Sequence, residues 1–239
     1  VYFNCSDYSN QSDSTCEKWR IIGVFKNMTK EDGSKEDLVK IIRDDSLDNI
    51  KWDSSNVNDW SKASLQTTLN GTYYNGTYAT GAFKNDSTRN AIESVVWNLG
   101  GTANYQSSSN GLASHFYGYE RGTTVYSGRP TTWTGKIALM YPSDYGYATA
   151  GGTTTNRESC LAKELYNWDG SGVSDCKNND YLYKSSYYQW TLAPYSSNSN
   201  LAFHVGAEGY VSGNSYVNYT YVVRPAAYLK SSISLSSVG

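Results

Sequence analysis

Short apolar runs alternate with turn-forming and tyrosine-rich segments between residues 187 and 230, and this alternation restricts the local structure that the region can adopt. Runs such as Trp190-Thr191-Leu192 and Leu201-Ala202-Phe203 are bounded by Ser, Asn and Gly, which favour turns. The pattern therefore predicts a series of short strands joined by turns. The predicted strands cover about 187–193, 201–206, 209–212 and 219–229.

Tyrosine is frequent in the same region, and two interpretations of it are open. The whole chain has 23 Tyr and 7 Trp among 239 residues. Tyr combined with Ser, Gly and Asn is the composition of antibody-type binding loops, because Tyr offers rigid contact area and the small polar residues offer adaptable hydrogen bonds. Tyr is also a good strand former, so alternate tyrosines could simply cover a sheet. Aromatic residues in the turns at 195–200 and 214–218 favour a binding surface.

The charge balance argues against two classes of partner. Charged residues make up 18% of the chain and the formal net charge is -2. We therefore expect neither nucleic acid nor an anionic membrane surface as an electrostatic partner. No apolar run of about 18 residues occurs, so we expect no direct membrane contact by this segment. The abrupt start at Val1-Tyr2-Phe3 indicates a processed or truncated chain.

The four cysteines fall into two local pairs, Cys5 with Cys16 and Cys160 with Cys176. Each pair brackets a polar segment, so we expect local disulfides, although four cysteines permit three connectivities. Free thiols and zinc are the alternatives, and zinc is disfavoured because structural zinc sites place paired cysteines closer in sequence. Disulfides imply an oxidising, extracytoplasmic setting. Residues 1–239 are expected to form a single domain, with 1–18 as an N-terminal disulfide-closed segment.

Two apolar, β-branched runs at residues 19–25 and 37–43 predict a β-hairpin. The charged, Gly-containing segment between them is typical of a hairpin loop. A further apolar run at 136–141 predicts a buried strand, after which Pro142 begins a turn away from it.

Two main helices are predicted between these elements. The first lies near residues 60–70, with Asn58 or Asp59 as its cap and Gly71 at its end. The second lies at 87–99, where apolar residues recur at helical spacing before a Gly-Gly pair. The order of strands, helices, long loops and further strands predicts an α+β fold.

The middle of the chain is predicted to contain long loops and one short helix. Residues 101–135 are poor in aliphatic side chains and rich in Ser, Thr, Gly and Tyr, which favours loops on a scaffold. The short helix is predicted at 157–167 with Asn156 as its cap. It would carry Cys160, so a disulfide to Cys176 would hold the following loop.

Candidate catalytic and metal-binding groups are few. The only histidines, His115 and His204, lie far apart and outside any metal-ligand spacing. Residues 169–175 superficially match a calcium loop but lack the EF-hand ligand pattern, so calcium is the weaker alternative there and no cofactor is predicted. Paired carboxylates for glycoside hydrolysis are a spatial feature, and no nucleophile motif accompanies them. The candidates for such a pair are Asp144, Glu120 and Glu208.

Three C-terminal motifs carry a family resemblance: Val222-Val223-Arg224-Pro225, Trp190-Thr191-Leu192-Ala193-Pro194 and the turn at 206–211. Together they resemble the C-type lectin-like fold, in the branch shared by formylglycine-generating enzymes and the variable proteins of diversity-generating retroelements. Segments between residues 121 and 180 resemble pilin-associated surface proteins of gut Bacillota. The resemblance covers about residues 19–232. It implies mixed and antiparallel sheets with two main helices and long loops.

The resemblance implies a binding face without the family's catalysis. The enzymes of this branch use a C-terminal Cys pair or a His-rich iron site, whereas this chain has no cysteine after Cys176. The calcium-dependent sugar motifs Glu-Pro-Asn and Trp-Asn-Asp are also absent. Arg224 is expected to be a buried structural guanidinium. The positions that match the ligand-contacting face of the variable proteins are Tyr187, Tyr188, Trp190, Tyr195, Asn198, Asn200, His204, Tyr210, Asn214, Tyr216 and Asn218.

These observations predict a non-catalytic domain, extracellular or on a bacterial cell surface, that binds a glycan or a cell-surface protein through Tyr and Asn side chains. One alternative is the structural head of a pilin or pseudopilin, which would contact identical subunits in a filament. A second alternative is a glycan-acting enzyme.

Overall fold

The computed structural model describes residues 1–79 and 81–234, and strands predominate over short helices in them. Most strand pairs are antiparallel, which confirms the predicted α+β class. The strands are β1 (Tyr2–Phe3), β2 (Glu17–Thr29), β3 (Lys35–Arg43), β4 (Asp48–Lys51), β5 (Ile92–Glu93), β6 (Val95–Asn98), β7 (Thr132–Gly135), β8 (Ile137–Ala138), β9 (Gln189–Pro194), β10 (Leu201–Val205), β11 (Val211–Tyr216), β12 (Thr220–Val223) and β13 (Ala226–Leu229).

The first large sheet contains the predicted hairpin. Its strand order is β1-β2-β3-β13-β5, and β8 also pairs with β13. At the turn between β2 and β3, the N–H of Lys30 donates to the carbonyl of Ser34 over 2.9 Å. Gly33 in this turn has a φ of 82°, which glycine adopts without a side-chain clash. The last strand in the described residues, β13, therefore lies beside the N-terminal hairpin.

The second large sheet gathers the C-terminal strands in the order β11-β10-β9-β12-β4. β9 and β12 are parallel, and the other pairs in this sheet are antiparallel. The predicted strands at 187–193 and 201–206 are confirmed as β9 and β10. The predicted strand at 209–212 begins slightly later, as β11.

Arg224 and Pro225 carry the chain from the second sheet to the first, so the predicted strand at 219–229 is two strands, β12 and β13. The Arg224 side chain is buried at this crossing. Its Nε donates to the carbonyl of Arg43 and its Nη1 to that of Leu182, each over 2.8 Å. Asp44 lies 3.7 Å from Nη2. The expected structural role of Arg224 is thus confirmed.

The helices are short. The predicted helix at 60–70 consists of three consecutive helical segments, and the Asp59 side chain caps the first by accepting the N–H of Ser61. Gly71 does not end it, because a π-helical turn continues past this residue. The α-helices are α1 (Ser64–Thr68), α2 (Asp86–Ala91), α3 (Ala113–Glu120), α4 (Pro142–Tyr147), α5 (Arg157–Leu161) and α6 (Ser174–Asn178). The 3-10 segments are Trp60–Lys62, Leu165–Asn167 and Ser171–Val173, and the π-helical segment is Leu69–Tyr73.

The prediction of a second main helix at 87–99 is wrong beyond Ala91, where α2 ends. Only α2 is helical, and β5 and β6 follow it, paired with β13 and β7. The apolar spacing of Ile92, Val95 and Val96 fits one face of a helix, but these β-branched residues also favour strands. Pairing with strands distant in sequence stabilises the extended form.

The middle of the chain is more ordered than predicted. Residues 101–135 include α3 and β7 and are not only loops. The predicted helix at 157–167 is confirmed only in its first part, as α5, and a separate 3-10 turn follows at Leu165–Asn167. Asn156 caps α5 as predicted, by accepting the N–H of Ser159. The predicted strand at 136–141 is buried, but only β8 within it pairs as a strand.

The cysteines and most tryptophans are structural. The predicted disulfides Cys5–Cys16 and Cys160–Cys176 are both present. Of the 7 Trp in the chain, all except Trp133 are among the largest fully buried side chains. Tryptophan therefore fills the core, while tyrosine supplies most of the exposed rings. In the part of the chain that the structure describes, no helix is long and apolar enough to cross a membrane.

Candidate ligand-binding face

Tyr188 and Tyr221 lie side by side because β9 and β12 are parallel. The N–H of Val222 donates to the carbonyl of Tyr188 over 2.9 Å, and Val222 pairs with Gln189. Side chains alternate between the two faces of a sheet. Tyr188 and Tyr221, each one residue before this pair, therefore project from the face opposite to Gln189 and Val222. Trp190, two residues after Tyr188, belongs to that same face.

Tyr221 is at the centre of an aromatic cluster on this face. Its ring stacks on Tyr188, with centroids 5.1 Å apart and an interplanar angle of 26°. The Tyr221 centroid is 4.5 Å from that of Trp190 and 5.5 Å from that of His204. These separations lie within the range in which aromatic pairs add to the energy of burial.

The cluster extends in two directions from this centre. On one side, the Tyr219 ring lies 6.3 Å from Tyr221 and 5.5 Å from Tyr216. On the other side, the Tyr210 ring lies 6.0 Å from His204. We call the five tyrosines joined in this way the tyrosine face. Its members are Tyr188, Tyr210, Tyr216, Tyr219 and Tyr221.

The tyrosine face combines open rings with a buried layer beneath them. Tyr188, Tyr216 and Tyr219 are 38%, 44% and 48% exposed. Trp190 and His204 are buried, although the sequence predicts both as ligand contacts. Trp190 and His204 are on β9 and β10, which are not edge strands of the sheet, and neighbouring tyrosine rings cover both side chains. They support the tyrosines and do not themselves contact solvent.

His204 provides an uncharged, partly unsatisfied polar group in this layer. Burial lowers the pKa of His204 to about 4. Its Nδ1 is buried without a hydrogen-bond partner in the described residues. The imidazole is therefore neutral at physiological pH, and it contributes no charge beneath the tyrosine face.

Two hydroxyls of the tyrosine face, those of Tyr210 and Tyr221, are hydrogen-bonded and have raised pKa values. The Tyr221 hydroxyl lies 2.9 Å from Oγ of Ser215. Burial raises the pKa of Tyr210, and a hydrogen bond with Tyr188 raises it further. Burial also raises the pKa of Tyr221. These hydroxyls therefore keep their protons and can both donate and accept hydrogen bonds.

Three of the predicted site residues belong to a separate, rigid turn. The Tyr195 hydroxyl donates to the carbonyl of Ala103, and its ring packs on buried aromatics of the core. Asn58 Nδ2 donates to the carbonyls of Tyr195 and Asn198 over 3.1 Å and 2.7 Å. The Asn198 side chain accepts the N–H of Asn200. These polar groups therefore stabilise the turn.

The remaining predicted residues lie at the surface without a ring contact to the tyrosine face. Tyr187 is 55% exposed, and Asn214 is exposed on β11. Oδ1 of Asn214 accepts a hydrogen bond from Oγ of Ser212. Asn218 is half-buried in the turn that joins β11 to β12.

Tyr219 and Tyr221 are functional candidates that the sequence interpretation did not include. The available signal was their spacing, because residues two apart on a strand share one face of the sheet. Their importance depends on β12 lying parallel to β9, a pairing between segments about thirty residues apart. Local sequence contains no information on that pairing.

The other candidate sites have structural partners. Glu120 and Asp144 are buried and hydrogen-bonded, whereas Glu208 is exposed. They therefore do not form an open pair of carboxylates flanking a cleft. In the loop considered for calcium, Oδ2 of Asp175 accepts the N–H groups of Thr154 and Thr155. Among the described residues, no group of three or more His, Cys, Asp or Glu is placed to hold a metal ion.

A groove elsewhere on the molecule shares no residue with the tyrosine face. It has a volume of about 650 Å³ and extends from Val1 to Tyr181 along β2. Its charged groups include the ion pairs of Lys18 with Asp13 and of Arg20 with Asp44, at 2.9 Å and 2.6 Å. Because these charges are already paired, the groove offers fewer free recognition groups than the tyrosine face.

The lowered pKa of His204 predicts that the stability of the protein depends on pH. Its folded pKa is below the ordinary value of 6.5, so the unfolded chain binds this proton more readily and acid favours unfolding. Relative to His204→Gln, the unchanged protein should lose roughly 2 kcal/mol of unfolding free energy between about pH 7 and about pH 5. Urea denaturation at each pH measures the difference. Parallel pH profiles for the two proteins would show that His204 titrates normally.

Comparison with known proteins identifies no relative: no protein-family model, curated protein or solved structure matches the chain.

Proposed function

We propose that this chain is a non-catalytic extracellular binding domain that recognises a glycan through the tyrosine face. The observation that supports this most is the row of open tyrosine rings above a buried aromatic layer. Exposing several large rings together costs favourable burial, and contiguous exposed aromatic surface commonly marks an interaction site. The resemblance of residues 190–194 and 222–225 to the C-type lectin-like fold supports the same proposal.

The chemistry of the tyrosine face suits a neutral sugar. A sugar ring has apolar C–H faces that stack on aromatic rings and hydroxyls that need hydrogen-bond partners. Tyr188, Tyr216 and Tyr219 offer both kinds of contact, because each has a ring and a hydroxyl. Tyrosine side chains carry no charge near neutral pH, and the imidazole of His204 beneath them is neutral, although the exposed Glu208 carboxylate lies close enough to Tyr210 to raise the pKa of its hydroxyl. A charged ligand would find no countercharge among these residues.

The disulfides support an extracellular location. Cys5–Cys16 and Cys160–Cys176 are stable in oxidising compartments and rare in reducing ones. The burial of Glu120 and Asp144 favours binding over glycan hydrolysis, since a hydrolase needs its two carboxyl groups accessible to the glycosidic bond.

A glycan array tests the proposal directly. The purified, oxidised domain should bind a chemically related subset of neutral glycans. Tyr216→Ala should lose this binding, whereas Tyr147→Ala, which removes a 40% exposed tyrosine outside the tyrosine face, should not. Absence of glycan binding, together with capture of a surface protein that depends on Tyr216, would instead assign the face to a protein ligand.

A further inference from the structure

A buried lysine on the first sheet contacts a buried aspartate on a helix that packs inside the core. Lys40 on β3 is 0% exposed, and its Nζ donates a hydrogen bond to Oδ2 of Asp144, whose side chain is 3% exposed. Asp144 is on α4, 104 residues further along the chain. The contact therefore connects two distant segments inside the core.

Four aromatic rings enclose Nζ of Lys40. It lies 4.3 Å from the centroid of Tyr141 and 5.2 Å from that of Trp97, with Phe25 at 5.5 Å and Tyr228 at 5.6 Å. An ammonium has three N–H donors, but Asp144 is the only hydrogen-bond acceptor of this group among the described residues. Contact with the rings compensates for only part of the hydration that an ammonium loses on burial. A neutral nitrogen with fewer N–H groups fits this enclosure better than an ammonium.

Neighbouring groups hold Asp144 in place. The N–H of Tyr141 donates to its Oδ2 over 2.8 Å. The residue before it, Ser143, donates its N–H to Oε1 of Glu120 over 2.9 Å and its hydroxyl to Oε2. Burial lowers the pKa of Lys40 and raises that of Glu120 to about 8. The environment thus favours uncharged groups at this site.

We propose that Lys40 and Asp144 condense into an intramolecular amide crosslink. A proton passes from the Lys40 ammonium to the Asp144 carboxylate, which leaves an amine and a carboxylic acid. Nζ then attacks Cγ of Asp144, an N–C bond forms and one C–O bond breaks. The departing hydroxyl takes one proton from Nζ and leaves as water. The reaction needs no oxidant or cofactor, because every atom comes from the two side chains.

The geometry and the surroundings both favour this reaction. Cγ is one bond from the oxygen that Nζ contacts, so the reacting atoms need little movement to reach the attack distance of about 3–3.5 Å. The N–H of Tyr141 donates to Oδ2, the oxygen that takes the proton from Nζ and leaves as water, and so stabilises negative charge that develops on it as the C–O bond breaks. The crosslink also replaces two buried charges with one neutral amide, which removes the desolvation penalty of the ion pair.

Intact-mass spectrometry of the reduced, denatured protein tests the crosslink without any substitution. We expect a mass one water below the sequence mass, and a joined peptide that contains Lys40 and Asp144 after proteolysis. A protein at the full sequence mass would overturn the proposal.

Two variants exclude other sources of water loss, such as succinimides at Asp32-Gly33 and Asp169-Gly170. Lys40→Met lacks the nucleophile and should have its full sequence mass; a deficit that persists in it would overturn the proposal. Asp144→Asn should form the same amide by releasing ammonia, so its product should match the crosslinked unchanged protein in mass. An Asp144→Asn protein that folds but keeps its full mass would contradict the proposed attack at Cγ.

Discussion

Replacing Asp144 with alanine should lower the free energy of unfolding by about 3–5 kcal/mol, because it leaves the buried Lys40 amino group without its partner. Lys40 is 0% exposed and enclosed by aromatic rings, so water cannot replace the lost partner. The proposed crosslink would add to the loss, since Asp144→Ala also removes it. Urea denaturation monitored by tryptophan fluorescence measures the difference.

Two controls separate this effect from a general loss of charge. Asp13→Ala breaks the exposed ion pair with Lys18, whose side chains are 66% and 57% exposed, and should change stability little. Combining Asp144→Ala with Lys40→Met should recover part of the loss, because an apolar side chain of similar length replaces the unpaired amino group. An Asp144→Ala protein as stable as the unchanged protein would contradict the burial of the pair.

Replacing Tyr221 with alanine should weaken glycan binding by at least about 30-fold, the effect of losing a central aromatic anchor of about 2 kcal/mol. Tyr221 stacks on Tyr188 and packs on Trp190, so its removal opens the middle of the tyrosine face. Isothermal titration with a glycan identified on the array measures the affinity.

Tyr221→Phe is the matched control for that measurement. It keeps the ring and loses only the hydrogen bond with Ser215, so the affinity should fall by no more than roughly tenfold. Equal affinities for Tyr221→Ala and the unchanged protein would place the ligand elsewhere. Equal losses in Tyr221→Ala and Tyr221→Phe would show that the hydroxyl, and not ring stacking, carries the contact.

Local patterns were sufficient to predict the N-terminal hairpin, most of the C-terminal strands and the two disulfides. The β2–β3 hairpin follows from two β-branched runs around a charged loop, and the C-terminal strands follow from apolar runs between turn residues. The 87–99 segment shows the limit of such patterns. The apolar spacing of this segment fits a helix as well as it fits strands. Only the pairing of β5 and β6 with distant strands explains the observed structure.

The sequence predicted that tyrosines form the candidate site, but not which particular residues belong to it. Tyr188, Tyr210 and Tyr216 were predicted, and ring contacts connect them to one cluster, Tyr188 and Tyr210 through His204 and Tyr216 through Tyr219. Burial of Trp190 and His204 depends on which strands lie inside the sheet, and the central place of Tyr221 depends on a parallel pairing. Such long-range pairings are not encoded in a local window of sequence.

The buried Lys40–Asp144 pair could not be predicted for the same reason. In the sequence, Asp144 is only one of three candidate carboxylates for glycoside hydrolysis. The aromatic enclosure of Lys40 combines Phe25 and Tyr228 of the first sheet with Trp97 and Tyr141, which lie between them in the sequence. Only the folded arrangement brings these residues together.

We expect recognition to depend on exposed tyrosines that the scaffold does not need. Glycan affinity and thermal unfolding, measured together on the Tyr188→Ala/Tyr216→Ala protein, test this claim. Both rings are more than one-third exposed, so we expect binding to be lost while the melting temperature changes little. Full binding in this variant would contradict the claim. A loss of binding accompanied by unfolding would show that these tyrosines belong to the scaffold.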